Sequence, residues 1–322
     1  MWSLSYLLAS SLAVLVTRVL GEPVGAATSS NTVPGCGRTL LLRAIEVKRT
    51  VRNDRTYWYR LPLDYDKTRP YPVVFGFHGS SKIGLSLDGL AFAADSRLSD
   101  PKYSSDKIMV YPNGKGGVWA GASYSKTSVE EDLEYITDVL TDLNNTMCVD
   151  PNRIYATGHS NGAGFLDSIA CSSTSDYFAA FAPASGSFYT DNSPSSPCSP
   201  ARLPVPMLEF HGGADTTVNY TGGQGEGGIE PAIPDWLSWW ARRNRCSTEN
   251  PQVDSFGGKV HFRSWNCSGK PNLLQHYKVD DMGHVWPSTE INFSSLADGK
   301  PPTYIEASQI VIDFFSKWTR YG

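Results

Sequence analysis

The chain has 322 residues, 40% of them hydrophobic, and a net charge of −4 from 28 basic and 32 acidic side chains. That length can bury a sizeable core, and the weak negative charge excludes binding of nucleic acid or another polyanion by bulk electrostatics. With 29 Gly and 21 Pro the chain is neither disordered nor collagen-like, and its nine Trp and sixteen Tyr can serve packing or the binding of flat rings and sugars.

The first element is a targeting segment. Residues Tyr6–Val16 form an apolar run of signal-peptide length, and Val24-Gly25-Ala26 fits a small-x-small cleavage site, although no Lys or Arg precedes the run. Residues 1–26 are therefore expected to be a signal peptide, and residues 34–322 a single catalytic domain. No later segment approaches about 18 uninterrupted apolar residues, so a secreted, extracellular protein without membrane partners is expected. Six cysteines (Cys36, Cys148, Cys171, Cys198, Cys246, Cys267) all lie beyond the cleavage region. None forms a C-x-x-C pair, so no metal site is expected; the count is even, which suits disulfides. Sequons at Asn144, Asn219, Asn266 and Asn292 agree with a glycosylated extracellular chain.

Beyond the leader, strand and helix patterns alternate. Continuous apolar runs at 70–77, 108–111, 153–157, 178–183 and 205–210 read as strands buried on both faces, as in a parallel sheet. Ser128-x-x-Glu131 is a capping box, followed by Val129, Leu133, Ile136, Leu140 and Leu143 at helical spacing. Helical patterns also follow the third strand, at Ala163–Cys171, and recur at Ala307–Trp318. Asp191–Pro200 and Gly222–Gly228 read as loops. The expectation is an α/β fold: a mostly parallel central sheet with helices on both faces.

The chemistry gathers at strand ends. Gly158-His159-Ser160-Asn161-Gly162 matches G-x-S-x-G between a strand and a helix, the nucleophile elbow of the α/β-hydrolase fold. The turn is so tight that only Gly fits two residues to either side of the serine. A serine hydroxyl needs a base, and the base an acid to orient it. The fold requires the order Ser, acid, His. Of the six histidines, His78 and His159 fail that order. His211 ends a strand, and His261 and His276 lie in strand-like aromatic stretches. His284, in the Gly- and Pro-bounded loop Asp281–Pro287, is the expected base. Asp215, just past the strand at 205–210, is the expected acid. Asp235 reads as a helix-start charge, and Asp280 and Asp281 lie too near His284. The oxyanion hole is expected from the backbone N–H of Asn161 and that of Ser80 after the first predicted strand, with Gly79 or Ser81 as alternatives.

Four segments together carry a family resemblance: Phe75–Gly79 (FGFHG), Ala156–Phe165 (ATGHSNGAGF), Pro206–Asp215 (PMLEFHGGAD) and Asp281–Ser288 (DMGHVWPS). They resemble fungal secreted feruloyl esterases of carbohydrate esterase family 1, particularly the type B group, and the similarity runs from about Cys36 to the C-terminus. Acetylxylan esterases and polyhydroxybutyrate depolymerases have a similar arrangement. The resemblance implies hydrolysis of ferulate or p-coumarate esters on plant cell-wall arabinoxylan by Ser160, Asp215 and His284, without a cofactor. Alternatives are an acetyl or polyhydroxybutyrate ester on the same machinery, or an inactive hydrolase scaffold that only binds. No C-terminal cellulose-binding module of the kind some relatives carry is seen. Trp119 and Trp286 are expected to line a cinnamoyl slot. The expected disulfides are Cys36–Cys148, Cys171–Cys198 and Cys246–Cys267; the last, by closing a short loop, contributes on the order of 3 kcal/mol in the chain-entropy picture.

Overall fold

A computed structural model describes residues 33–81 and 87–322. The signal peptide expected at 1–26 lies outside the described residues. Twelve strands occur among the described residues: β1 (Glu46–Thr50), β2 (Thr56–Arg60), β3 (Tyr71–Phe77), β4 (Ile108–Pro112), β5 (Val149–His159), β6 (Ala180–Ala184), β7 (Met207–Gly212), β8 (Gly223–Gly225), β9 (Gly228–Glu230), β10 (Gln252–Ser255), β11 (Val260–Cys267) and β12 (Lys270–Val279). The helices are α1 (Asp88–Ser96), α2 (Pro101–Ser104), α3 (Val129–Thr146), α4 (Asn161–Ala170), α5 (Ile233–Arg243), α6 (Phe293–Asp298) and α7 (Ala307–Phe315).

Ten strands form one sheet in the order β1-β2-β4-β3-β5-β6-β7-β12-β11-β10. From β4 to β12 every neighbouring pair is parallel, and the flanking strands run antiparallel. All seven residues of β3 are buried, as is every residue of β4, β6 and β7. Successive strand side chains point to opposite faces, so complete burial means that both faces are covered. The expected α/β-hydrolase sheet is therefore present. The parallel β12 and the antiparallel additions at both edges go beyond the five predicted strands: β1 is short, polar and half exposed, β10 is short and fully exposed, and neither carries a continuous apolar run.

Local signals hold where they were strong. Ser128 caps α3 by accepting from Glu131 N–H, and Glu131 reaches back to Ser128 N–H. Of the acidic residues in that first turn, Asp132 is not a solvated charge. It is fully buried and accepts from Arg55, Thr127 and the Ala120 N–H, so it fixes the loop that enters α3. The last predicted strand begins at Met207 rather than Val205, because Pro206 has no N–H to give a ladder and the N–H of Val205 donates to Asn244 instead.

Disulfides join Cys36 to Cys148, Cys171 to Cys198 and Cys246 to Cys267. The first holds the N-terminal segment to the start of β5, the second ties the end of α4 to the Ser-Pro loop, and the third clasps the end of α5 to β11. Among the described residues no helix is long and apolar enough to cross a membrane.

Candidate active site

The site is built on the turn from β5 to α4. Ser160 sits at φ 58° and ψ −125°, a strained backbone that pushes its side chain above the sheet edge. The flanking glycines make this possible. A Cβ on Gly162 would lie 2.3 Å from the His78 carbonyl oxygen, and one on Gly158 would lie 2.8 Å from the Phe77 carbonyl oxygen. Strand, turn and helix can pack this closely only without those side chains.

Two distant loops close on that serine. His284 Nε2 lies 2.8 Å from Ser160 Oγ, and His284 Nδ1 lies 2.8 Å from Asp215 Oδ2. Asp215 is 3% exposed, and its other oxygen accepts the N–H groups of Thr217 and Val218 at 2.9 Å each. Burial alone would raise its pKa. The hydrogen bond and charge of His284, the charge of His211 and the Val218 N–H outweigh burial and hold the carboxyl below its usual range. The structure thus brings together the three residues expected from sequence. It keeps Asp235 apart, exposed in the first turn of α5. Asp280 instead pairs with His261 and Lys278 on the sheet extension.

The expected oxyanion side is framed by His78 and Asn161. His78 Nε2 accepts the Gly114 N–H, so the ring proton is on Nδ1, which donates to the Gly79 carbonyl at 2.7 Å. Burial lowers the His78 pKa, in keeping with a neutral ring. In a trans peptide the C=O and N–H point in opposite directions, so the bond to Gly79 turns the Ser80 N–H away from His78. Gly79 lies against the serine: a Cβ there would be 3.0 Å from Ser160 Cβ. The N–H of Ser81 is committed to the Gly117 carbonyl. Asn161 opens α4, and its side chain accepts the N–H of Trp119 and donates to the Trp119 carbonyl. Its backbone N–H, in the first turn of a helix, has no intrahelical partner and faces developing negative charge favourably.

Trp119 and Trp286 do not line a slot. They are 0% and 1% exposed. Trp119 stacks on Phe165 and packs edge-on to Phe77, and its Nε1–H donates to the His78 carbonyl. Trp286 packs edge-on to Phe92 and donates to Ser308. Nearness to His284 along the chain says nothing of direction, and burying a large apolar ring outweighs leaving it in a polar cleft. We expect Trp119→Ala to destabilise the protein by about 3–5 kcal/mol through the cavity it leaves. Urea unfolding reads this. The ratio of kcat/KM for methyl ferulate to that for an acetyl ester should stay at the wild-type value, since no substrate contact is lost.

One sequon is also corrected. Asn219 and Asn266 are exposed and Asn144 is half-buried, but Asn292 is buried as the N-cap of α6. Its Nδ2, the atom that would carry a glycan, donates to the Trp286 carbonyl.

Several groups around the site had no clear signal in the sequence. Tyr124 is exposed and its hydroxyl lies 2.9 Å from Ser80 Oγ, at the mouth of the oxyanion loop. An aromatic residue in a Gly- and Ser-rich loop is the one cue that could have found it. His159 packs beside His284, with ring centroids 4.8 Å apart and planes tilted by 36°; burial, and then the neighbouring His284, hold its pKa well below the usual imidazole range. Beneath Asp215 lie Glu209 and His211, both fully buried. A cavity of about 810 Å³ lies elsewhere, between α5 and β10–β12, and its lining includes none of Ser160, Asp215 and His284.

No family model matches the chain. Among curated proteins, it is 29% identical over 263 residues to "Probable feruloyl esterase C" of Aspergillus niger, covering 78% of this chain and 83% of that protein. It is 27% identical to "Feruloyl esterase D" of Neurospora crassa, covering 76% of this chain and 78% of the relative. Among solved structures, an acetyl xylan esterase from Aspergillus awamori superposes with a TM-score of 0.59 at 14% identity, covering 84% of this chain and 98% of that one. At that identity the likeness is one of fold. The resemblance carried by the four sequence segments is borne out: the curated relatives are named feruloyl esterases.

Proposed function

We propose that the chain is a secreted serine carboxylesterase that releases ferulic or p-coumaric acid from feruloylated plant cell-wall polysaccharide, with residues 34–322 as its catalytic domain. The observation that carries this reading is the continuous chain of contacts Ser160–His284–Asp215, at 2.8 Å each, in a protein whose curated relatives are named feruloyl esterases. Ser160 Oγ attacks the ester carbonyl while His284 Nε2 takes its proton. The N–H groups of Asn161 and Ser80 hold the oxyanion. His284 then protonates the departing sugar alcohol, and water releases the acid from the acyl-enzyme. Asp215 keeps the imidazole in the tautomer with hydrogen on Nδ1 and stabilises the imidazolium that forms. Three disulfides and the exposed sequons Asn219 and Asn266 support an extracellular setting.

One observation favours a second reading, in which the acyl group is acetyl. Both tryptophans expected to grip a cinnamoyl ring are buried, and an acetyl group needs no such slot. Parallel kinetics on methyl ferulate, methyl p-coumarate and acetylated xylan decide between them. Faster feruloyl turnover is the expected result; faster acetyl turnover makes the protein an acetylxylan esterase. A fluorophosphonate probe labels Ser160 in either case, and absence of labelling would leave an inactive scaffold.

A further inference from the structure

Asp215 does not stand alone under His284. His211, the penultimate residue of β7, is fully buried, and its Nε2 lies 3.7 Å from Asp215 Oδ2. Its Nδ1 lies 2.9 Å from Glu209 Oε1, and its Nε2 lies 2.9 Å from the Val218 carbonyl oxygen. A carbonyl oxygen and a carboxylate oxygen can only accept. A neutral imidazole carries one N–H, so it would leave a bare nitrogen lone pair against one of these oxygens, on a side chain that is fully buried. With Glu209 ionised, which the lowering of its pKa by His211 and His276 favours, both contacts are satisfied at once only if both ring nitrogens carry hydrogen.

We propose that His211 is a standing imidazolium, held by Glu209, that acts as a positioning residue for ester hydrolysis by keeping the Asp215 carboxylate ionised and in place under His284. This rests on the esterase reading above.

The charge balance explains why such a group is useful. Glu209 and Asp215 are both buried, with 0% and 3% exposure, and two uncompensated carboxylates there would compete for a proton. His211 between them leaves one net negative charge in the cluster. When His284 takes the Ser160 proton, that last charge is matched. Without His211, part of the drive to form the His284 imidazolium would be spent on a proton bound by a carboxylate. Asp215 would then no longer hold His284 in the working tautomer.

The titration directions agree with the geometry. Burial opposes a charge on His211, but the charge and hydrogen bond of Glu209, with Asp215 and the Val218 carbonyl, outweigh it and raise its pKa. Burial would raise Glu209, yet His211 and His276 lower it. Other groups face the pair from each neighbouring element. On β12, His276 Nδ1 lies 2.6 Å from Glu209 Oε2, at an angle that is not that of a hydrogen bond, and its Nε2 lies 3.1 Å from the Tyr220 hydroxyl. The Tyr220 ring stands edge-on to His211 at 5.8 Å. His159 on β5 is neutralised by burial, and Glu230 on β9 has its pKa raised by burial. His276 faces Glu209 and not Asp215, whose neighbouring basic side chains are His211 and His284.

The test has two arms. In the wild type, nitrogen NMR of ¹⁵N-histidine protein at pH about 8 should show one ring still carrying both protons, where an ordinary imidazole has lost one. The signal is assigned by its disappearance in His211→Gln. A neutral His211 at that pH would overturn the proposal. In the second arm, kcat/KM for a simple aryl ester is followed against pH. His211→Gln, which can still donate to Val218, should lower kcat about 10–100-fold with little change in KM. It should also move the acid limb upward by about one pH unit, because loss of the cation favours protonation of both Asp215 and His284. Glu209→Gln, which removes the group that holds the charge, should move the limb in the same direction and abolish the persistent imidazolium signal. Should His211→Gln fail to fold, the wild-type spectrum and Glu209→Gln still decide. Lower activity with an unmoved acid limb in the folded variants would mean a packing role and overturn the proposal. A wild type that shows the imidazolium but hydrolyses no ester would overturn the esterase reading, and the role with it, while the charge assignment stood.

Discussion

Ser160→Ala is expected to remove turnover and leave the fold intact. The hydroxyl oxygen stands above the elbow, half-buried, and its side-chain hydrogen bond is to His284. The backbone needs of the turn are met by Gly158 and Gly162, which the substitution does not touch. No core contact is lost, so the thermal midpoint should match the wild type. The rate should fall by several orders of magnitude, because the oxyanion donors and the substrate contacts that remain cannot replace a nucleophile. Steady-state kinetics on methyl ferulate, with fluorophosphonate labelling as a control, measures the loss. Residual activity within about tenfold of wild type would remove Ser160 from the role of nucleophile.

Asp215→Asn should come next in severity, with a loss on the order of 10⁴ in kcat, and Asp235→Asn should be close to neutral. The amide keeps the size of the carboxylate and can still accept the Thr217 and Val218 N–H bonds through one oxygen. Its NH₂ group would then face His284 Nδ1 at the position where Oδ2 now lies, 2.8 Å away. That forces the ring proton to Nε2, where it meets the hydroxyl it should deprotonate. The amide also offers no charge to the imidazolium. Asp235 is exposed at the start of α5, where its carboxylate only complements the helix dipole. A reversed ranking of the two variants would assign the acid role to the wrong loop.

Two kinds of information meet in these predictions. The elbow was legible because its requirements are local. A strand, a serine flanked by glycines and a helix must occur in sequence, and that pattern is written within five residues even though the atoms that crowd Gly158 and Gly162 belong to Phe77 and His78. Five of the six parallel strands, β3 to β7, were legible for a similar reason, whereas β12 is exposed at several positions and carries no such run. A strand covered on both faces has no polar alternation, so its apolar run stands out without any knowledge of its neighbours. The chain order of an acid after one strand and a histidine in a late loop then narrowed the partners to Asp215 and His284.

What tertiary structure decided is direction, burial and charge, because these depend on segments far apart in sequence. Trp286 lies two residues past His284, yet the loop turns its ring onto Phe92 and Ser308, and only the position of α1 and α7 determines that. Asn292 reads as a glycan acceptor in sequence, but the fold spends its amide on the Trp286 carbonyl and its oxygen on capping α6. His211 and Glu209 look like ordinary strand residues, and alternation along β7 places them on one face. That they form a buried charged pair beneath Asp215 follows from the loop that brings the Val218 carbonyl to the ring's Nε2. Signals for secondary structure and tight turns are carried within a few residues of chain. The protonation state of a buried group is set by every charge the fold brings within a few ångströms, and no stretch of sequence contains that sum.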